Sequence, residues 1–140
     1  MAEQPVCTCG SSETEQGGKK RIIFACSGAS NTGQLSNEAA VRLTNEGYGT
    51  IACTASLAIQ TPPVMKKTKE ADEVVIIDGC PVGCAKEIAE RAGIRPDQYI
   101  IVTEEGIKKS GNLELPEEEI EKIVSAAWER KGITEKPEKA

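Results

Sequence analysis

Residues 71–94, ADEVVIIDGCPVGCAKEIAERAGI, decide the fold. The run Glu73 to Asp78 is apolar without alternation, which is the pattern of a strand covered on both faces, as in a parallel sheet sandwiched by helices. Two residues later the chain reads Cys80-Pro81-Val82-Gly83-Cys84, a turn. From Cys84 to Ala92 the apolar residues fall at helical spacing, and Gly93 supplies a terminator. Strand, tight turn and helix in that order form one half of a β-α-β unit.

Working outward, three more Ile- and Val-rich runs have the same character: Arg21 to Cys26, Thr50 to Cys53 and Tyr99 to Thr103. Helical patterns separate them. Thr32 to Glu46 carries Leu35, Ala39 and Leu43 on one face and stops at Gly47. After Cys53, Ala55 to Gln60 predicts a short helical turn, Pro62-Pro63 a break, and Val64 to Ala71 a further helix. Pro116 to Arg130 opens with a proline and three glutamates, which suit a helix start, and places Ile120, Ile123, Val124, Ala127 and Trp128 on one side. The alternation predicts a three-layer α/β domain over residues 21–131, with a mostly parallel four-stranded sheet and helices on both faces, and the order 2-1-3-4 is assumed from the doubly wound arrangement. Residues 1–20 read as a flexible arm with Cys7-Thr8-Cys9, and 132–140 as a tail.

Composition limits what such a domain can do. The 140 residues carry 17 Lys and Arg against 22 Asp and Glu, a net charge of -5, so recruitment of DNA or RNA by bulk positive charge is disfavoured. With 3% aromatic residues a base-stacking surface is not expected either. Lys66-Lys67-x-Lys69 reads as a solvated helix face rather than a binding patch. There is no histidine, which removes Ser-His and Cys-His nucleophile pairs and every zinc site that needs an imidazole. No run approaches the roughly 18 apolar residues that cross a bilayer. The start MAEQPV shows no secretory leader, so the expectation is a cytoplasmic chain with reduced thiols.

Six cysteines remain, and four sit where strands end. Cys26 and Cys53 close the first and second strands, Cys80 follows the third, and Cys84 opens the next helix. In a parallel sheet all carboxyl ends point the same way, so these four belong to one edge. Neighbouring strands about 4.8 Å apart match sulfurs just under 4 Å apart around zinc with modest side-chain reach. A four-cysteine zinc site at Cys26, Cys53, Cys80 and Cys84 follows as the expected metal centre. Two alternatives stay open: Cys26 and Cys53 as small buried hydrophobes, and thiol redox chemistry.

The segments FACSGASNTGQLSNEAAVRL, IACTASLAI and ADEVVIIDGCPVGCAKEIAERAGI, with the triplet Asp78-Gly79-Cys80, resemble the DGC-domain family. The resemblance spans nearly all of Arg21 to Val102. It implies zinc held by the cysteines at positions 26, 53, 80 and 84, and it supplies a ligand set rather than a reaction. Asp78 reads as a residue that accepts backbone N–H bonds in the turn and holds Cys80 in place. Lys86 is expected in solvent.

A rival feature occupies the same edge. Cys26-Ser27-Gly28-Ala29-Ser30-Asn31-Thr32-Gly33 joins strand to helix and is rich in small residues, as loops that aim N–H groups at a phosphorylated ligand are. The layout resembles low-molecular-weight phosphatases and arsenate reductases, which implies a thiol enzyme with Cys26 as nucleophile and Cys80 and Cys84 as a disulfide relay. That family needs an arginine six residues after its cysteine, where this chain has Thr32. The plainer alternative is a helix-capping turn around Ser30 to Thr32. Because four sulfurs close a zinc shell, the metal reading leans away from an enzyme and toward storage or transfer.

Overall fold

The computed structural model describes residues 18–134. Its sheet has four parallel strands, β1 (Arg21–Ala25), β2 (Thr50–Ile51), β3 (Glu73–Asp78) and β4 (Gln98–Ile101), in the order β2-β1-β3-β4. Register pairs Ile23 with Ile51 and with Val75, and Ile77 with Ile100. The predicted strand order and the covered, parallel character of the sheet are what the structure has.

Five helices flank it: α1 (Asn31–Asn45), α2 (Thr54–Ala58), α3 (Pro62–Glu70), α4 (Cys84–Arg91) and α5 (Glu117–Trp128). Because strand side chains alternate, the sheet serves two cores. Ile23, Ala25, Val75 and Ile77 pack with Leu35, Leu43, Ile120 and Ile123 of α1 and α5. Ile22, Phe24, Val74 and Ile76 pack with Leu57, Val64, Ala85 and Ala89 of α2, α3 and α4. All six residues of β3 are buried, which explains why the sequence there lacks alternation.

Three boundaries differ from expectation, each for a local reason. Thr50 to Cys53 was expected to be all strand, but the strand ends at Ile51 and Cys53 becomes the N-cap of α2. Pro62 and Pro63 do not break a helix. They begin α3, where a missing N–H costs nothing and the fixed φ suits the first turn. The tail was expected to begin at Gly132, but the fold continues there: the Tyr99 N–H donates to the Gly132 carbonyl and Ile133 bridges Gln98 in antiparallel sense. The Cys7-Thr8-Cys9 arm and the last six residues lie outside the described residues. Among the described residues no helix is long and apolar enough to cross a membrane.

Candidate functional site

The carboxyl edge of the sheet is built around β1, which lies between β2 and β3 and so draws their following loops to its own end. Cys26 extends β1 by one rung, donating its N–H to the Ile77 carbonyl (2.9 Å) while its own carbonyl accepts the Ser36 hydroxyl (2.5 Å). Cys53 is half-buried, its sulfur accepting the Ser56 N–H at 3.4 Å as the cap of α2. The Thr54 hydroxyl bonds the Ala25 carbonyl (2.9 Å) and ties the start of α2 to the end of β1. Cys80 is half-buried and Cys84, the first residue of α4, is exposed. No disulfide joins any pair of the four.

One buried carboxylate organises the Cys80–Cys84 turn. Asp78, at 1% exposure, accepts the N–H groups of Ala85 (2.9 Å) and Lys86 (3.1 Å) and the Tyr99 hydroxyl (2.9 Å). The N-cap of α4 is Gly83, which has no side chain to cap with and sits in the left-handed region at φ 68°. Asp78 therefore caps α4 from the end of β3, fixing the helix that begins with Cys84. Burial, and then the hydrogen bond to Asp78, push the Tyr99 hydroxyl far above its ordinary range, so Tyr99 stays a donor. Lys86 is not simply solvated: its ammonium lies 4.9 Å over the Tyr99 ring and 3.9 Å from Glu90.

Gly79 shows why this turn and the β1–α1 loop are one unit. A Cβ on Gly79 would lie 2.6 Å from the Gly33 nitrogen and 2.7 Å from the Thr32 carbonyl carbon, closer than real contacts permit. The two loops thus touch backbone to backbone. Burial pushes the Cys26 thiol up, the Asp78 charge adds to this, and N–H bonds from Gly28 and Gly79 offset part of it. A nucleophilic cysteine needs the opposite, a depressed value.

The β1–α1 loop is a capping turn. Ser30 is the N-cap of α1 and accepts the Gly33 N–H (3.1 Å), and the Asn31 N–H donates to the Ser110 carbonyl (3.0 Å). With Gly28 turned to Cys26, three of the N–H groups that would face a phosphate are already engaged. Thr32, standing where the phosphatase and reductase loop needs arginine, is wholly buried and bonded to Ser30.

Sequence reading missed the strap that crosses this edge. Asn31, 7% exposed, donates its side-chain amide to the Lys108 carbonyl (2.8 Å) and accepts the Ser110 N–H (2.7 Å). Between these anchors the Lys109 ammonium lies 3.4 Å from the Cys80 sulfur. No local signal marks a lysine 29 residues away as a partner of Cys80. The four cysteines share this edge, yet among the described residues no three cysteine or carboxylate side chains converge on one point. The donor chemistry suits a thiophilic ion: four sulfurs at one rim, with N–H donors or an ammonium on three of them.

A doubly covered parallel sheet whose carboxyl edge carries cysteines from three successive strand ends defines a class of α/β domain. The chain belongs to the DGC-domain family, whose profile matches residues 22–127. It is similar to the anaerobic and virulence modulator AnvM of Pseudomonas aeruginosa, 31% identical over 88 residues that make up 63% of this chain and 67% of that protein. No solved structure matches the chain.

Proposed function

We propose that this chain is a zinc-binding module whose ligands are Cys26, Cys53, Cys80 and Cys84. The observation that carries this reading is the strand order β2-β1-β3-β4, which makes the strand ends bearing the four cysteines immediate neighbours. Zinc bound by four thiolates would be a closed structural, storage or transfer site, since catalytic zinc keeps a position for water or substrate. Cys26 and Cys53 would serve as the half-buried pair fixed to the sheet, and Cys80 and Cys84 as the pair gathered by the turn that Asp78 holds. A role in modulation rather than catalysis also agrees with the description of AnvM as a modulator.

The experiment is metal analysis with thiol counting on the full chain purified under reductant. About one zinc per chain is expected. Each of Cys26→Ser, Cys53→Ser, Cys80→Ser and Cys84→Ser should lose most of it while keeping the folded far-ultraviolet spectrum. Metal-free protein whose accessible thiols fall by two under mild oxidant, through a Cys80–Cys84 disulfide reversed by a dithiol, would instead support the thiol-redox reading.

A further inference from the structure

The strap from Gly106 to Gly111 carries none of the four sulfurs, yet it is fastened across the same edge. Asn31 is spent wholly on it, with side-chain and main-chain bonds to Lys108 and Ser110 and almost no exposure. A buried asparagine pinning an exposed loop at two points anchors the backbone of the residue between them. That residue is Lys109, and its ammonium meets the Cys80 sulfur at 3.4 Å.

We propose that Lys109 is a positioning residue for the cysteine rim, a cation on an anchored backbone that holds the Cys80 sulfur and offsets negative charge gathered there. Two neighbouring charged groups are otherwise engaged. Asp78 is spent on α4 and Tyr99, and Lys86 lies over the Tyr99 ring beside Glu90. Four thiolates with one divalent ion carry a net charge of about -2, so a nearby ammonium favours the loaded state. This last step rests on the zinc reading. The contact between Lys109 and Cys80 does not.

The test separates the two. In the metal-free full chain, carboxymethylation of Cys80 by iodoacetate, an anion, is compared with alkylation by neutral iodoacetamide, each followed by peptide mass spectrometry. The ratio of the two rates cancels thiolate fraction and access, leaving the local field. Lys109→Met should lower that ratio about threefold at Cys80, Lys109→Glu should lower it further, and Lys109→Arg should restore it. The change should be smaller at Cys84 and should fade in molar salt. A ratio at Cys80 that is the same in wild type and Lys109→Glu at low salt overturns the proposal. Chelator competition then reads zinc affinity, expected to weaken about threefold in Lys109→Met. If the wild-type chain takes up no zinc, the four-sulfur reading fails and the alkylation ratio still decides the role of Lys109. If zinc binds with the same affinity in all Lys109 variants, the charge-offset step fails and the four-sulfur reading stands.

Discussion

The two edges of the one sheet are built on opposite plans. At the amino edge, where β1, β3 and β4 begin, Glu73 is 7% exposed and bonds Arg130 through both oxygens (2.8 Å each), Arg21 (2.9 Å) and Lys19 (3.2 Å). Arg130 also donates to the Tyr48 hydroxyl, which donates to the fully buried Gln98. Gln98 in turn donates to the carbonyls of Ala127 and Lys131, so the end of α5 is locked to the sheet. Every side-chain polar atom of Glu73 and Gln98 is used by the protein itself. At the carboxyl edge the sulfurs are half-buried or exposed, and three of the four have weak donors, N–H groups or an ammonium. One edge spends its polar groups on holding the chain together, and the other turns several of them toward sulfur.

The largest effect should therefore come from the amino edge. Glu73→Ala removes the anion that, among the described residues, bonds both Arg21 and Arg130, and leaves two part-buried guanidinium groups without it. A loss of about 3 kcal/mol is expected, at the low end for a broken buried pair because Lys19 and Arg130 are partly in solvent. Urea unfolding at neutral pH measures it, and zinc stoichiometry should be untouched. A loss below about 0.5 kcal/mol would mean that the network is decorative.

Acid provides the next test of the same edge. Burial pushes the Glu73 carboxyl up, but hydrogen bonds from Arg130, Arg21 and Lys19 outweigh it and hold the value at about 2, against 4.5 for an ordinary glutamate. A depressed carboxylate stabilises the fold above its unfolded value and loses that contribution as pH falls. About 2 kcal/mol should disappear between pH 4.5 and 2, after discounting for partial exposure of the cations. In Glu73→Gln that part of the slope of stability against pH should be absent.

Asp78 belongs to the carboxyl edge but follows the amino-edge plan, and it sharpens the comparison. Asp78→Asn keeps the size while turning one accepting oxygen into a donor that meets an N–H or the Tyr99 hydroxyl. A cost of about 1–2 kcal/mol is expected, together with faster hydrogen exchange at the first turn of α4. Zinc uptake should weaken with it, because Cys84 is the first residue of that helix.

The contrast also explains what could be read in advance. The covered strands and the shared edge of the four cysteines follow from periodicity and from where Cys26, Cys53, Cys80 and Cys84 interrupt it, whereas the order 2-1-3-4, which the structure has, came from a common doubly wound arrangement and not from any pattern in the residues. Asp78 as the organiser of the turn was legible too, since a carboxylate two residues before Cys80 has backbone N–H groups within reach. The amino edge was not. Glu73, Arg130, Tyr48 and Gln98 are up to 82 residues apart in pairs that bond, and nothing local singles them out. Lys109 was hidden for the same reason, since Asn31 delivers it from 79 residues away through its bond to Ser110. Cys53 as a cap rather than a strand residue was missed because β2 stops after two residues, a length that no pattern of alternation can define.

The smallest expected effect bears most directly on the rim. In the metal-free chain Cys80→Ser removes a half-buried sulfur that meets the exposed ammonium of Lys109, so stability should change by less than about 0.5 kcal/mol. With zinc in excess the wild-type chain gains RT ln(1 + [Zn]/Kd), about 2.7 kcal/mol at one hundred times the dissociation constant, and the variant should gain little. The same substitution is then silent without the metal and costly with it. The amino-edge variant behaves in reverse: Glu73→Ala lowers both curves by the same amount and leaves their separation intact. If Cys80→Ser were instead equally destabilising with and without zinc, the rim would be another piece of structure, and the division of labour between the two edges would not hold.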